Sequence, residues 1–240
     1  MRSLRLLIAI VTLTASVWAQ NITGTIVIKT KLTKRSVTPS ISVYQRGPAV
    51  KLGKDPEEDP LAFERSRVVI YLEEPAAAQP DPAGTSPANP GPLMMQQASM
   101  QQIGRRFSPD LLVIPAGSTV SFPNLDPIFH NIFSLSKPRT FDLGSYNKGE
   151  TRTVAFPKPG IVEVYCHLHP NMEATILVTP NRWYARSDSF GQYKIPDVPP
   201  GRYVVVAWHK SAGFLRKSVF VEAGRDSVVD FFVPVDKDSE

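Results

Sequence analysis

The chain has 240 residues, 42% of them hydrophobic and 20% charged, and a formal net charge of +5 at pH 7. This length suffices for one large or two small domains, and the 23 prolines argue against a helical bundle. The mild positive charge, without a basic run among aromatics, excludes a nucleic-acid-binding footprint. The single cysteine, Cys166, excludes an internal disulfide.

Residues 1–19 have the pattern of a secretory signal peptide. Two arginines precede an uncharged, mostly apolar run from Leu6 to Ala19, and a cleavage site lies before Gln20. An uncleaved membrane anchor is the alternative, although the run is short for a spanning helix. We predict a periplasmic or secreted protein with no integral membrane segment after signal cleavage.

The rest of the chain is predicted to be all-β, because short β-branched and apolar segments alternate with turn residues and no helix longer than a turn or two is indicated. A stretch rich in proline, alanine, glycine and asparagine at residues 75–92 predicts a linker or long loop. The predicted strands are Ile22–Thr30, Arg67–Leu72, Leu111–Ile114, Thr119–Phe122, Phe129–Leu135, Thr151–Phe156, Ile161–Tyr165, Ala174–Thr179, Gly191–Ile195, Arg202–Trp208, Arg216–Val221 and Ser227–Val233.

The segment VYCHLHPNM places a thiolate, an imidazole and a thioether within seven residues, at Cys166, His169 and Met172. A loop leaving a strand can fold all three around one ion, and His130 is the obvious distant fourth donor. Two imidazoles, a thiolate and a weak thioether favour copper over hard cations and support one-electron transfer. Zinc is the competing metal, but a thioether is a poor zinc ligand.

The lone thiol supports the same interpretation. A free cysteine in a secreted protein is exposed to oxidation or cross-linking unless it is used or buried. Metal ligation gives Cys166 a use, and a buried inert thiol is the alternative.

Two residues beside the donors are assigned other places. His167 is excluded from the ligand set, because successive residues on an extended segment point to opposite sides. Asn131 is a candidate for tying the His130 loop to the Cys166 loop through its side chain.

More distant residues are less informative. His209 is interpreted as unrelated to the metal. Met94, Met95 and Met100 form a second possible soft-metal feature, and the alternative is a flexible flank entering the first strand of the next domain.

The motif Cys-x2-His-x2-Met, with Pro170 directly after the histidine, resembles the ligand loop of the cupredoxins, the plastocyanin and amicyanin superfamily, and most resembles amicyanin. The segment from Phe107 to Asn131 is also similar, with a strand, Pro-Ala-Gly, and then Thr-Val-Ser-Phe-Pro-Asn before His-Asn. The motif from Phe133 to Gly144 is typical of bacterial proteins labelled methylamine-utilisation or plastocyanin-like, a label that indicates no pathway.

The cupredoxin resemblance covers roughly residues 103–180. It implies a Greek-key β-sandwich that holds one copper ion, cycling between Cu(I) and Cu(II), at one end. Its strong ligands are then His130, Cys166 and His169, and Met172 is the axial one. It further implies that His169 is the ligand nearest the surface, where a redox partner protein docks.

The ends of the chain resemble a carboxypeptidase-regulatory, or transthyretin-like, module. The late half of that module is matched by DSFGQY and DVPPGRY, and its early half by ITGTI and the strand ending at Leu72. This motif order predicts a second, smaller sandwich split into residues 21–75 and 181–236, with 76–102 as the linker and 103–180 as the inserted copper domain.

We expect a one-electron carrier and no enzyme. Four histidines are too few for a multicopper oxidase, one cysteine is too few for a dinuclear copper centre, and no nucleophile–base pair is indicated. Two alternatives remain: a protein that binds or delivers copper without redox turnover, and a structural or interaction module.

Overall fold

The structure, a computed structural model, describes residues 20–32, 59–73 and 96–233. The predicted signal peptide, most of the predicted linker, Met94 and Met95 lie outside these residues. The described strands are β1 (Gln20–Ile28), β2 (Val69–Glu73), β3 (Gln97–Ser99), β4 (Gln101–Ile103), β5 (Arg106–Ser108), β6 (Leu111–Pro115), β7 (Ser118–Pro123), β8 (His130–Ser134), β9 (Phe141–Tyr146), β10 (Thr151–Phe156), β11 (Gly160–Tyr165), β12 (Glu173–Thr179), β13 (Tyr184–Arg186), β14 (Gln192–Val198), β15 (Gly201–His209), β16 (Gly213–Val221), β17 (Ser227–Val228) and β18 (Phe231–Val233).

The prediction of an all-β sandwich fold is confirmed. Within the described ranges the only α-helix is the single turn α1 (Ala62–Arg65). None of the described helices is long and apolar enough to cross a membrane.

Strands β3 to β12 form one sandwich, here called the inner sandwich. One sheet has the order β10-β7-β3 and the other β6-β12-β11-β8-β9, with β4 and β5 paired as a separate ribbon. The β6–β12 and β3–β7 pairs are parallel, so their connections cross between the sheets. Strand β3 and the first two residues of β4 lie inside the stretch 76–102 that the sequence predicts as a linker.

The remaining strands form a second sandwich, here called the outer sandwich. Its sheets have the orders β14-β1-β17, with β18 also on β1, and β13-β2-β15-β16. Thus, among the described residues, β1 and β2 from the first 73 residues pair only with strands after residue 183. The predicted strand 227–233 is broken in two, because the Asp230 side chain accepts a hydrogen bond from Thr25 N at 2.7 Å in place of a ladder partner.

Three hydrophobic cores separate four sheets. The first fills the outer sandwich and the second the inner sandwich. The third lies between the two sandwiches and joins β2 and β15 to β6 and β12; its buried members are Val69, Tyr71, Leu111, Val113, Leu177, Val206 and Trp208.

Strand β12 therefore has apolar neighbours on both faces. Ile176 and Val178 face the inner core, whereas Leu177 faces the core between the sandwiches. Double burial explains why every residue from Ala174 to Thr179 is buried, rather than every second one. The loop that carries the candidate donors Cys166, His169 and Met172 ends where this strand begins.

Gly24 tests the packing of the outer sandwich. A Cβ atom at Gly24 would lie 2.0 Å from the Val229 carbonyl oxygen, so we expect Gly24→Ala to lower the free energy of unfolding by about 1–3 kcal/mol. The measurement is urea unfolding followed by tryptophan fluorescence. Thr25→Ala on the same strand is the control, and equal stability of the two variants would contradict the described contact.

Candidate metal centre

The donor loop connects two paired strands. Cys166 follows the last residue of β11, and Met172 precedes the first residue of β12. Two backbone hydrogen bonds close the loop, from Met172 N to His169 O at 2.9 Å and from Cys166 N to Met172 O at 3.3 Å. The loop is thus a compact turn that brings its three candidate donors to one end of the sandwich.

His130, the first residue of β8, meets this loop. Its Nδ1 lies 3.9 Å from Cys166 Sγ, and His169 Nδ1 lies 3.7 Å from the same sulfur. The two imidazole centroids are 4.8 Å apart at 60°. All three donor atoms lie within 4.8 Å of one another.

These distances fit one shared metal ion. With a metal–sulfur bond of about 2.3 Å and metal–nitrogen bonds of about 2.0–2.1 Å, donors about 120° apart are separated by about 3.8 Å. The two observed sulfur–nitrogen distances lie on either side of that value. His130 and Cys166 are buried and His169 is partly exposed, so His169 is the donor of the three with the most direct access to solvent.

Met172 is buried with Cys166 in the inner core, at 1% exposure. Its backbone is fixed to the loop by both closing hydrogen bonds. Met172 therefore occupies a buried position at the end of the donor loop, in the same core as Cys166.

Asp126 fixes the other nitrogen of His130. Its Oδ2 lies 2.8 Å from His130 Nε2, and both groups are buried. The same carboxylate accepts backbone hydrogen bonds from Gly104 N at 2.7 Å and Arg105 N at 2.8 Å. Because a carboxylate accepts the Nε2 proton, Nδ1 is left with its lone pair for a metal.

Burial alone would raise the pKa of Asp126, but hydrogen bonds from Arg105 N, His130 and Gly104 N outweigh burial and hold that pKa below its usual value. For His169, burial lowers the pKa, and the nearby charges of His130 and Arg105 lower it further. These pKa shifts favour the ionised form of Asp126 and the neutral form of His169, and a neutral imidazole is the form that binds metal.

His167 lies outside the donor group, with its side chain 56% exposed. Its ring stacks on Phe133 at 3.7 Å between centroids and 6° between planes, and its Nε2 lies 3.6 Å from Asp142 Oδ2. Its backbone N donates to Asn131 Oδ1 at 3.4 Å, while Asn131 Nδ2 donates to Asp142 Oδ1 at 2.7 Å. Asn131 thus contacts the residue after Cys166, as expected of a side chain that ties the two donor segments together.

The remaining candidate residues lie elsewhere. His209 is buried beside Glu64, at 3.2 Å between Nε2 and Oε2, and does not belong to the donor group. Met100 is fully buried in the inner core. It is therefore a packing residue and does not lie on a flexible flank.

Sequence reasoning missed two parts of the site. Asp126 stands four residues before His130, and an acidic residue at that spacing from a candidate ligand was the available signal. The Gly104–Arg105 turn gave no signal, because its role comes from backbone N–H groups that any non-proline residue carries.

No protein-family model and no curated protein matches this chain. Among solved structures, a copper-containing nitrite reductase from Thermus scotoductus is 31% identical over 41% of this chain and 26% of its own, with a TM-score of 0.34. A purple cupredoxin from Nitrosopumilus maritimus is 26% identical over 34% of this chain and 99% of its own, with a TM-score of 0.31. A reduced mutant of amicyanin is 18% identical over 33% of this chain and 79% of its own, with a TM-score of 0.32.

Asp126→Asn tests the carboxylate beside His130. The amide offers one acceptor oxygen where three donors converge, so we expect the affinity for Cu(II) to fall about tenfold to a hundredfold. The measurement is competitive titration against a chelator of known affinity. Glu222→Gln, at an exposed carboxylate directly after β16 in the outer sandwich, is the control; an unchanged affinity in Asp126→Asn would remove Asp126 from the site.

Proposed function

We propose that this protein is a secreted or periplasmic type 1 copper protein that carries single electrons. The observation that supports the proposal most directly is that two imidazole Nδ1 atoms lie within 3.9 Å of one buried thiol sulfur. The proposed ligands are His130, Cys166 and His169, with Met172 as the weak axial ligand. When bound, copper would supply a centre that alternates between Cu(I) and Cu(II) with these soft and nitrogen donors.

The protein's own groups would keep the ligand geometry nearly the same in the two oxidation states. Asp126 holds the His130 ring, the loop hydrogen bonds hold His169 and Met172, and the Asn131–His167 contact holds the backbone next to Cys166. Burial of Cys166 at 4% exposure restricts water and oxidants at the sulfur. A ligand set held in place has little to rearrange when one electron arrives or leaves.

The donor set itself favours a copper site for electron transfer over a structural zinc site. A structural zinc site is normally closed by four sulfur, nitrogen or carboxylate ligands, whereas the described donor group has three such residues and a buried methionine in the core that also holds Cys166.

The proposal also keeps the outer sandwich as a split carboxypeptidase-regulatory-like module, supported by the pairing of β1 and β2 with strands after residue 183.

Copper loading tests the proposal. We expect the full secreted chain with one equivalent of Cu(II) to show a strong thiolate-to-copper band in the visible spectrum and reversible one-electron cycling in voltammetry. The band arises from the Cys166 sulfur, so Cys166→Ser should abolish it.

The matched control is His167→Ala, which changes the neighbouring imidazole and should keep the band. A band that survives Cys166→Ser would refute the ligand assignment. Copper transfer to an acceptor protein without reversible cycling would instead support copper delivery.

Met172→Leu tests the axial position. The substitution preserves side-chain volume in the inner core but removes a donor that stabilises Cu(II) more than Cu(I), so we expect the band to remain and the reduction potential to rise. Voltammetry gives the shift. Met100→Leu, in the same core, is the control, and equal potentials in both variants would show that Met172 is only a packing residue.

A further inference from the structure

The tip of the β4–β5 hairpin carries an arginine in an unusual backbone conformation. The turn has two central residues, Gly104 at φ 61° and Arg105 at φ 55°, between the paired residues Ile103 and Arg106. Both positive φ values are those of a tight hairpin turn that favours glycine or asparagine. A residue with a side chain is energetically disfavoured in this left-handed conformation, which suggests that the cation at this position has a use.

The tip is attached to the metal centre. Its two backbone N–H groups donate to Asp126, whose carboxylate also contacts His130. Arg105 and Asp126 together border a shallow cavity of about 270 Å³, lined also by Gly104, Pro127 and Ile128. The backbone of Arg105 is therefore linked to the candidate ligand His130 by two successive hydrogen bonds, through the carboxylate of Asp126.

The positive charge of this tip is not neutralised within the part of the chain that the structure describes. No carboxylate there lies within 4.0 Å of the side-chain nitrogens of Arg105 or Arg106, whereas Arg67 and Arg216 are paired with Asp110 and Glu73. Asp126 is only 7% exposed and already holds three hydrogen bonds, so it presents little negative charge to the surface.

Exposed apolar side chains lie on the same segments. Leu168 is in the donor loop at 52% exposure, and Phe129 precedes His130 at 56%. Leu125 and Ile103, on the loop before His130 and on β4, are also exposed. This end of the inner sandwich thus combines apolar side chains from the donor segments with an unpaired cationic tip.

We propose that the redox partner of this protein is an acidic protein whose apolar centre covers Leu168 and Phe129 and whose carboxylates face Arg105 and Arg106. This inference rests on the proposed electron-transfer function. An apolar centre with a charged rim is the arrangement that gives an interface specificity and fast association. One electron crosses between the docked proteins, so one is oxidised as the other is reduced, and no proton or group is transferred.

The first test maps the charge of the surface without using electron transfer. The nitrogen-15-labelled full chain, loaded with Cu(I), is mixed with the redox-inert trianion hexacyanochromate(III) or the trication hexaamminechromium(III). We expect the anion to broaden amide signals of residues 103–107 and 168–169 in the NMR spectrum, and the cation to leave them sharp. Broadening by the anion should weaken in the double variant Arg105→Gln/Arg106→Gln, which keeps the backbone donors to Asp126.

Arg225→Gln is the control, because Arg225 is 80% exposed on the outer sandwich. The inference is overturned if the anion broadens other regions instead, or if broadening is the same in the double variant and the control. The probes report surface charge, so the mapping can also be run on the metal-free chain. A missing copper band then refutes the proposed function, while failed mapping refutes only the acidic partner.

The second test is kinetic. Reduction of the Cu(II) protein by hexacyanoferrate(II) should slow as salt is added, because opposite charges are screened. The double variant should react roughly threefold to tenfold more slowly at low salt, and Arg225→Gln should match the unmodified protein. A rate that rises with salt, or is equal in all three proteins, would contradict an anion-selective docking end.

Discussion

The geometry of the candidate metal centre depends on one carboxylate. Asp126 joins three chain segments, because it accepts hydrogen bonds from the β4–β5 turn, lies in the loop after β7 and contacts the first residue of β8. Hydrogen bonds to a charged group such as this carboxylate contribute about 1.5–3 kcal/mol each. The same bonds that make this end of the sandwich stable therefore also decide which nitrogen of His130 faces Cys166.

The frame behind the site is equally constrained. The donor loop runs from β11 to β12, and β12 is packed on one face by the inner core and on the other by the core between the sandwiches. Ion pairs border that second contact, from Arg67 to Asp110 and from Lys210 to Glu163. A loop mounted on a strand clamped from both sides has little freedom to shift, which is what a centre with fixed ligand geometry requires.

Part of the fold and of the candidate site could be predicted from the sequence, because that part depends on the local spacing of residues. The thiol, imidazole and thioether between Cys166 and Met172 indicate a site for a soft metal ion, and the apolar strands follow from hydrophobic periodicity. Strands β3 to β5 were not predicted, because Gln97 to Ile103 is mainly polar and forms strands only where β7 and β5 offer partners. Asp126 was not assigned, because its role arises from two backbone N–H groups brought near by the hairpin.

The outer sandwich has a consequence for how the molecule is made. Strand β2 lies beside the chain that leaves the inner sandwich, with Leu72 N bonded to Trp183 O at 3.1 Å. Strand β1 pairs with β14 and then with β17 and β18, which all come later in the chain than β13. In a chain synthesised from its N-terminus, every described strand of the inner sandwich emerges before β13. The inner sandwich can therefore fold first and hold residues 72 and 183 together, which lowers the entropy cost of the long-range pairing that closes the outer sandwich last.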